Sequence, residues 1–249
     1  MKNVKVILWG LGAMGGGIGK MLTKKKGVDI VGAIDIGAKV GKSLYEVVPG
    51  IVKGDREDVI VGTPEEVIKP GVADIVVVCT NSFTKDVFDK LVFVMERGMN
   101  VITSAEEMAY PQAQEPELAK KLDEIAKKNG VSVMGTGINP GLIMDLLVVL
   151  WTAACEEVNH VTSRRVNSLS PFGPAVMEEQ GIGISVEEFN ERKANGTMAG
   201  HVGFAESTMM ICDALGWKWD DFGQDMEPIV TWVTPSDSAS RANFERESG

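Results

Sequence analysis

Gly10, Gly12 and Gly15 stand in the spacing G-x-G-x-x-G, and Asp35 follows 20 residues after Gly15. Together they could hold a pyrophosphate and a ribose. The first glycine permits a tight turn, the second lets the backbone approach an anion, and the third lets a helix pack closely. The amides at the helix start, Ala13 and Met14 among them, favour negative charge. Asp35 is expected to accept both ribose hydroxyls. A carboxylate there repels a 2'-phosphate, so NAD is expected ahead of NADP, with Lys39 near enough to soften that choice and admit NADP. A glycine-rich turn that merely packs tightly is the competing reading, and an acidic residue in register argues against it.

Two further loops carry usable groups. Thr80, Asn81 and Ser82 follow one apolar run, and Ser104 with Glu106 and Glu107 follows the next. Both loops are expected at the carboxyl edge of a sheet, beside the cofactor, where small hydroxyl and amide groups can position a nicotinamide ring; plain solvated turns are the alternative. The segment 135–145 joins permissive glycines to Thr136, Asn139 and a carboxylate, Asp145, at the head of an apolar stretch. Asp145 either complements a helix N-terminus or faces a cleft and grips a substrate ammonium. His160 and His201 are the only histidines, each a candidate base or a structural residue. Cys79, Cys155 and Cys212 are far apart, with neither a metal spacing nor an even disulfide framework, so no metal and a reducing cytoplasm are expected.

The elements that must position these residues alternate strand and helix. Apolar, β-branched runs predict strands at 4–9, 28–34, 74–80, 99–103 and 131–135, with a shorter one at 59–61. Helical spacing and a cationic last turn before Gly27 predict a helix over 13–26, and a charge-rich helix is expected over 115–129. This is the rhythm of an α/β fold, a Rossmann doubly wound parallel sheet covered by helices. Beyond Gly135 the turn-rich Thr136, Gly137, Asn139, Pro140 and Gly141 mark a hinge. The expected organisation is a dinucleotide-binding domain over 1–138, an α+β substrate and oligomerisation domain over 139–233, and a polar tail over 234–249. Within the second domain a helix is expected over 142–156, a β-like stretch over 158–166, a Gly/Pro loop over 171–174 and a polar helix over 186–194. Met209, Met210 and Ile211 read as core filling.

Composition narrows the partners. The chain has 249 residues and a formal charge of -10, with 35 acidic residues against 25 basic ones. That field repels phosphate backbones and gathers small cations, so nucleic acid is not expected and an ammonium-bearing substrate suits it better. The longest apolar stretch, 146–155, is far shorter than the ~20 residues a membrane span needs. No membrane partner is expected. The apolar surface of 142–155 exceeds what one exposed helix leaves in water, so a homodimer or larger homo-oligomer is expected.

Three segments carry a resemblance: Val6-Ile7-Leu8-Trp9-Gly10-Leu11-Gly12-Ala13-Met14-Gly15, Ile102-Thr103-Ser104-Ala105-Glu106-Glu107-Met108-Ala109-Tyr110-Pro111, and the segment 135–145. They look like those of the 2,4-diaminopentanoate dehydrogenases, among the dihydrodipicolinate reductase-like and diaminopimelate dehydrogenase-like oxidoreductases. The resemblance covers roughly 2–227; the first motif is widely shared, the other two are more specific. It implies NAD(P)-dependent oxidative deamination of 2,4-diaminopentanoate to 2-amino-4-oxopentanoate and ammonia, in ornithine breakdown. Members of the family continue past this length through further strands and a helix that packs back on the cofactor domain, so a shortened C-terminus and an incomplete second domain are expected.

For that chemistry a base must deprotonate an ammonium whose ordinary pKa is about 10 before hydride can leave its carbon. Glu106, Asp145 and His160 are the catalytic candidates, and Glu107, Asn139 and Thr136 the substrate-binding ones. Arg164 or Arg165, but not both from one strand, could hold the substrate carboxylate. The alternatives are an imine reductase of the dihydrodipicolinate reductase type, whose basic histidine and lysine motif is not found here, and a non-catalytic nucleotide-binding protein.

Overall fold

The computed structural model describes residues 2–166, 177, 180–198 and 200–230. The chain gathers into two compact units, Met1–Ser163 with Val202–Asp220, and Arg164–His201 with Asp221–Gly249.

The first unit is built on six strands, β1 (Val4–Trp9), β2 (Val28–Ile34), β3 (Val61–Gly62), β4 (Ile75–Val78), β5 (Asn100–Thr103) and β6 (Val133–Gly135). Their order is β3-β2-β1-β4-β5-β6, and every pair is parallel. This is the doubly wound α/β Rossmann arrangement: the chain runs outward one way from β1 and then returns to β4 to run the other way. β4, Ile-Val-Val-Val, lies between β1 and β5, and Val76 and Val78 are completely buried. A strand covered on both faces needs that unbroken apolar run. One core face packs β-strand residues against Val87, Leu91, Val94 and Met95; the other gathers Val6, Leu8, Ile30, Leu44 and Val61.

The helices of this unit are α1 (Ala13–Leu22), α2 (Leu44–Val47), α3 (Pro64–Val67), α4 (Thr84–Met95), α5 (Pro116–Asn129), α6 (Leu146–Thr152) and, far along the chain, Phe204–Leu215. Two short 3-10 turns, Glu106–Ala109 and Pro111–Ala113, follow β5. Register then fixes the site: Trp9 pairs with both Ile34 and Val78, Val78 with Thr103, and Thr103 with Gly135. The strands therefore finish level, and the loops after β1, β4, β5 and β6 emerge along one carboxyl edge.

Several expectations are corrected. The helix expected over 13–26 ends at Leu22, because Lys24 and Lys25 donate to carbonyls only three residues back and the chain turns toward Gly27. The helix expected over 142–156 is confined to Leu146–Thr152, because 136–145 is spent on turns. The β-like stretch 158–166 forms no strand; among the described residues its alternation has no neighbouring edge to pair with, and Val166 is 88% exposed. The boundary expected at 138/139 does not separate the compact units, since 139–163 and Val202–Asp220 pack with the sheet.

In the second unit, α7 (Val186–Ala194) is capped by Ser185, whose hydroxyl accepts from Glu188 N, and it buries Phe189. Lys193 is paired with Asp225 at 2.5 Å. Numbering in chain order makes Phe204–Leu215 α8. The expected loop 171–174 and tail 234–249 lie outside the described residues. Among the described residues no helix is long and apolar enough to cross a membrane.

Candidate active site at the carboxyl edge of the sheet

The glycine motif bridges β1 and α1. Gly10 has φ +95°, and a Cβ there would lie 2.5 Å from the carbonyl oxygen of Cys79 at the end of β4. At Gly15 a Cβ would lie 1.8 Å from the Gly10 carbonyl oxygen, so helix and turn can touch only through glycine. Gly12 differs. It is the N-cap of α1 with φ -77°, and a Cβ there meets nothing within 4 Å. Neither packing nor backbone strain of the protein requires glycine at that position. No side chain caps α1, and its first turn carries no acidic residue. An open, uncapped helix N-terminus fronted by a glycine fits the pyrophosphate of a dinucleotide.

Asp35 follows β2 and closes the other side of this turn. Its Oδ2 accepts from Leu11 N at 2.8 Å and from Lys39 Nζ at 2.8 Å, and its Oδ1 accepts from Ile36 N at 2.7 Å. Partial burial alone would raise this carboxyl, but the Lys39 ammonium and the two backbone donors outweigh it and hold it below the ordinary aspartate range. The carboxylate is thus ionised and bonded to the glycine loop, while Lys39, also 3.2 Å from Leu11 O, offsets part of its charge. Asp35→Ser is expected to weaken NAD binding and raise the NADP/NAD ratio of specificity constants, read from steady-state kinetics with each cofactor. An unchanged ratio would remove Asp35 from the ribose site.

The loops after β4 and β5 are tied together. Glu107 N donates to Ser82 O at 3.1 Å, and the Glu107 carboxylate accepts from Thr84 N at 2.7 Å, capping α4 from another element. Glu107 is 7% exposed. One of its carboxylate oxygens holds the start of α4, whose N-cap Phe83 offers no side-chain acceptor. Glu106 beside it is half-buried, and its carboxylate has no hydrogen-bonding partner among the described residues. Thr80 and Asn81 are exposed at the same edge, and Asn81 Oδ1 accepts from Lys90 Nζ at 2.7 Å. Ser104 is half-buried, and its amide donates to Val78 O at 3.1 Å.

Asp145 is completely buried. Oδ1 accepts from Leu146 N at 2.6 Å, and Oδ2 accepts from Gly141 N at 2.6 Å and from Ser207 Oγ at 2.9 Å. Of its two readings the helix-start carboxylate is the one the structure has; with both oxygens taken and no exposure, it is not a catalytic base. It also locks the 136–145 turn to α8. Thr136 is exposed after β6, its amide bonded to Thr103 O at 3.0 Å, and Asn139 is half-buried in the same turn. His160 is exposed, with Nε2 2.9 Å from Thr162 Oγ1. Among the described residues its ring is bonded to Thr162 and not to a group of the carboxyl edge, so the structure does not bring His160 to the other site candidates. Arg164 and Arg165 are both exposed on irregular chain, where strand alternation no longer decides between them.

α8 was not foreseen as an element, and it carries groups that face this edge. Glu206 is completely buried and accepts from Gln114 Nε2 at 2.7 Å. Tyr110 Oη donates to Asp213 Oδ2 at 2.5 Å; burial, then that bond and charge, push the Tyr110 phenol up to about 12. A glutamate at the start of a twelve-residue, mostly apolar stretch was the available signal. Ile211 is buried and Met209 and Met210 half-buried, as core filling requires. Among the described residues no three His, Cys, Asp or Glu side chains could hold a metal ion.

The 2,4-diaminopentanoate dehydrogenase C-terminal domain family matches residues 142–243. A curated 2,4-diaminopentanoate dehydrogenase of Acetoanaerobium sticklandii is 64% identical over 234 residues, 94% of this chain and 66% of that protein. The amine dehydrogenase of Mycobacterium smegmatis superposes with a TM-score of 0.62 at 28% identity, covering 86% of this chain and 61% of that one. This chain thus spans just under two thirds of the length of each. With that identity over nearly its whole length, and with residues 142–243 matched by the family's C-terminal domain, the chain belongs to the 2,4-diaminopentanoate dehydrogenase family.

Proposed function

We propose that the chain carries the cofactor site and the amine-binding edge of a nicotinamide-dependent dehydrogenase acting on CH–NH2 donors, with 2,4-diaminopentanoate as substrate and 2-amino-4-oxopentanoate and ammonia as products. The observation that carries this is 64% identity to an enzyme of that name over 94% of this chain. NAD is the expected cofactor, with NADP admitted through Lys39. Gly10, Gly12 and Gly15 with the α1 amides hold its pyrophosphate, Asp35 its ribose, and Thr80, Asn81, Ser82 and Ser104 border its ring. When bound, the nicotinamide accepts the hydride from C4 of the diamine. Glu106 is the carboxylate that remains for the substrate. It attracts the C4 ammonium and takes its proton, which frees the nitrogen lone pair that hydride departure needs. Thr136 and Asn139 lie in the turn where the far end of the substrate would be held. Absorbance at 340 nm, followed with the diamine and each cofactor, tests the reading. Cofactor binding without turnover on any diamine would leave a non-catalytic nucleotide-binding protein.

Assembly is part of the same proposal. α6 has no buried residue, and Leu146, Leu150 and Trp151 are 42%, 59% and 69% exposed. A second copy of the chain is the expected cover for this helix. Size-exclusion chromatography with light scattering should give a dimer or larger species at micromolar concentration; a monomer removes the interface.

A further inference from the structure

Lys90 lies in the second turn of α4, one turn beyond Asp86, the spacing at which a helix ordinarily forms a lysine–carboxylate pair. Its ammonium goes elsewhere. Nζ donates to Asn81 Oδ1 at 2.7 Å and, at 2.9 Å, to the backbone carbonyl of Asp86 rather than to its carboxylate. Lys90 is half-buried and Asn81 exposed, so the lysine reaches up the helix to grip a residue of the loop after β4. An ammonium can only donate, so the Asn81 atom facing it is the oxygen, and flipping the amide would set donor against donor. The Asn81 N–H2 group is thereby left on the far side, with no partner among the described residues. That loop abuts the glycine motif: a Cβ at Gly10 would lie 2.5 Å from Cys79 O and 3.0 Å from Thr80 Cγ2, and Asn81 is the next residue. Two oriented donors therefore stand beside the turn proposed to hold a dinucleotide, a ligand with acceptors along its whole length.

We propose that Lys90 is a positioning residue of the cofactor site: by occupying Asn81 Oδ1 it holds the amide so that its N–H2 group meets an acceptor of the bound dinucleotide. This rests on the reading that Asn81 borders the cofactor. Without Lys90 the exposed Asn81 side chain has to be ordered when the ligand arrives, and it can present its oxygen instead of its donors. With Lys90 in place that ordering precedes binding. Lys85, the other lysine near the start of α4, does not substitute for it, being paired with Glu115 at 2.6 Å. A lysine that acted on the cofactor through its own charge would behave differently, because its effect would not depend on Asn81.

The test is a double-mutant cycle read by titration of NADH fluorescence in wild type, Lys90→Met, Asn81→Ala and the double variant, with a thermal melt of each. Each single variant is expected to bind NADH about five- to tenfold more weakly, the scale of one hydrogen bond, and the double variant no more weakly than Asn81→Ala alone. Thermal midpoints should stay within about two degrees, since Lys90 and Asn81 are not core residues. The KM for the diamine should stay within about twofold, because the groups proposed for the substrate follow β5 and β6. Lys90→Arg keeps a head that only donates and should bind NADH within about threefold of wild type. Additive losses in the double variant overturn the proposal, as does unchanged affinity in Lys90→Met beside a weakened Asn81→Ala, or an Arg variant as weak as the Met variant. Unchanged affinity in Asn81→Ala removes Asn81 from the cofactor, which sinks the underlying reading and the proposal with it. The titration needs no turnover, so failure of the proposed reaction is seen separately, as no diamine oxidation by wild type.

Discussion

Glu106→Gln is expected to lower kcat for diamine oxidation by about 10²–10⁴-fold, the usual weight of a general base, with little change in cofactor affinity or thermal midpoint. Of the three carboxylates in the segments that follow β5 and β6 named as site candidates, Glu107 holds Thr84 N and Asp145 holds Leu146 N, Gly141 N and Ser207 Oγ, which leaves Glu106 half-buried and uncommitted. The amide keeps the side chain's size and can still accept a hydrogen bond, but it neither attracts an ammonium nor takes its proton. Glu107→Gln and Asp145→Asn should behave in the opposite way, losing thermal stability because they weaken a helix start, and losing activity only in proportion. Steady-state kinetics beside thermal melts separates the two patterns. A Glu106→Gln variant within threefold of wild type in kcat would return Glu106 to a solvated turn.

That contrast also shows what could be read from the residue string. The strands were legible because a parallel sheet covered on both faces demands unbroken β-branched runs, and Ile75–Val78 is such a run. The glycine motif and Asp35 were legible because backbone geometry restricts those positions to few residue types. α4 escaped notice for the opposite reason: its N-cap is Phe83, and the acceptor for its first amide comes from Glu107, 23 residues away from Thr84. A cap supplied by tertiary structure leaves no local trace. The stretch 158–166 differs in the other direction, since β propensity describes fit to a neighbouring strand and no such strand stands beside it among the described residues. Asp145 reads as either cap or catalyst from local sequence, because the Ser207 hydroxyl that takes one of its oxygens lies 62 residues on.

The glycines yield the second large effect, and they should not act alike. At Gly15 a methyl group would press to 1.8 Å from the Gly10 carbonyl oxygen, so Gly15→Ala must push α1 off the turn and is expected to cost stability and cofactor binding together. At Gly12 the added carbon meets nothing within 4 Å and φ is -77°, an angle any residue adopts. Gly12→Val should therefore fold with a thermal midpoint within a degree or two of wild type. Its side chain would occupy the space in front of the uncapped α1 amides, where the pyrophosphate has to approach the backbone. Overpacking of that kind costs about 3 kcal/mol, which is about 10²-fold in the dissociation constant. Titration of NADH fluorescence gives the affinity, and a melt on the same sample gives the stability. Retained affinity in Gly12→Val would move the dinucleotide away from α1; lost affinity in a protein that melts normally can come only from the ligand's own need for that empty space.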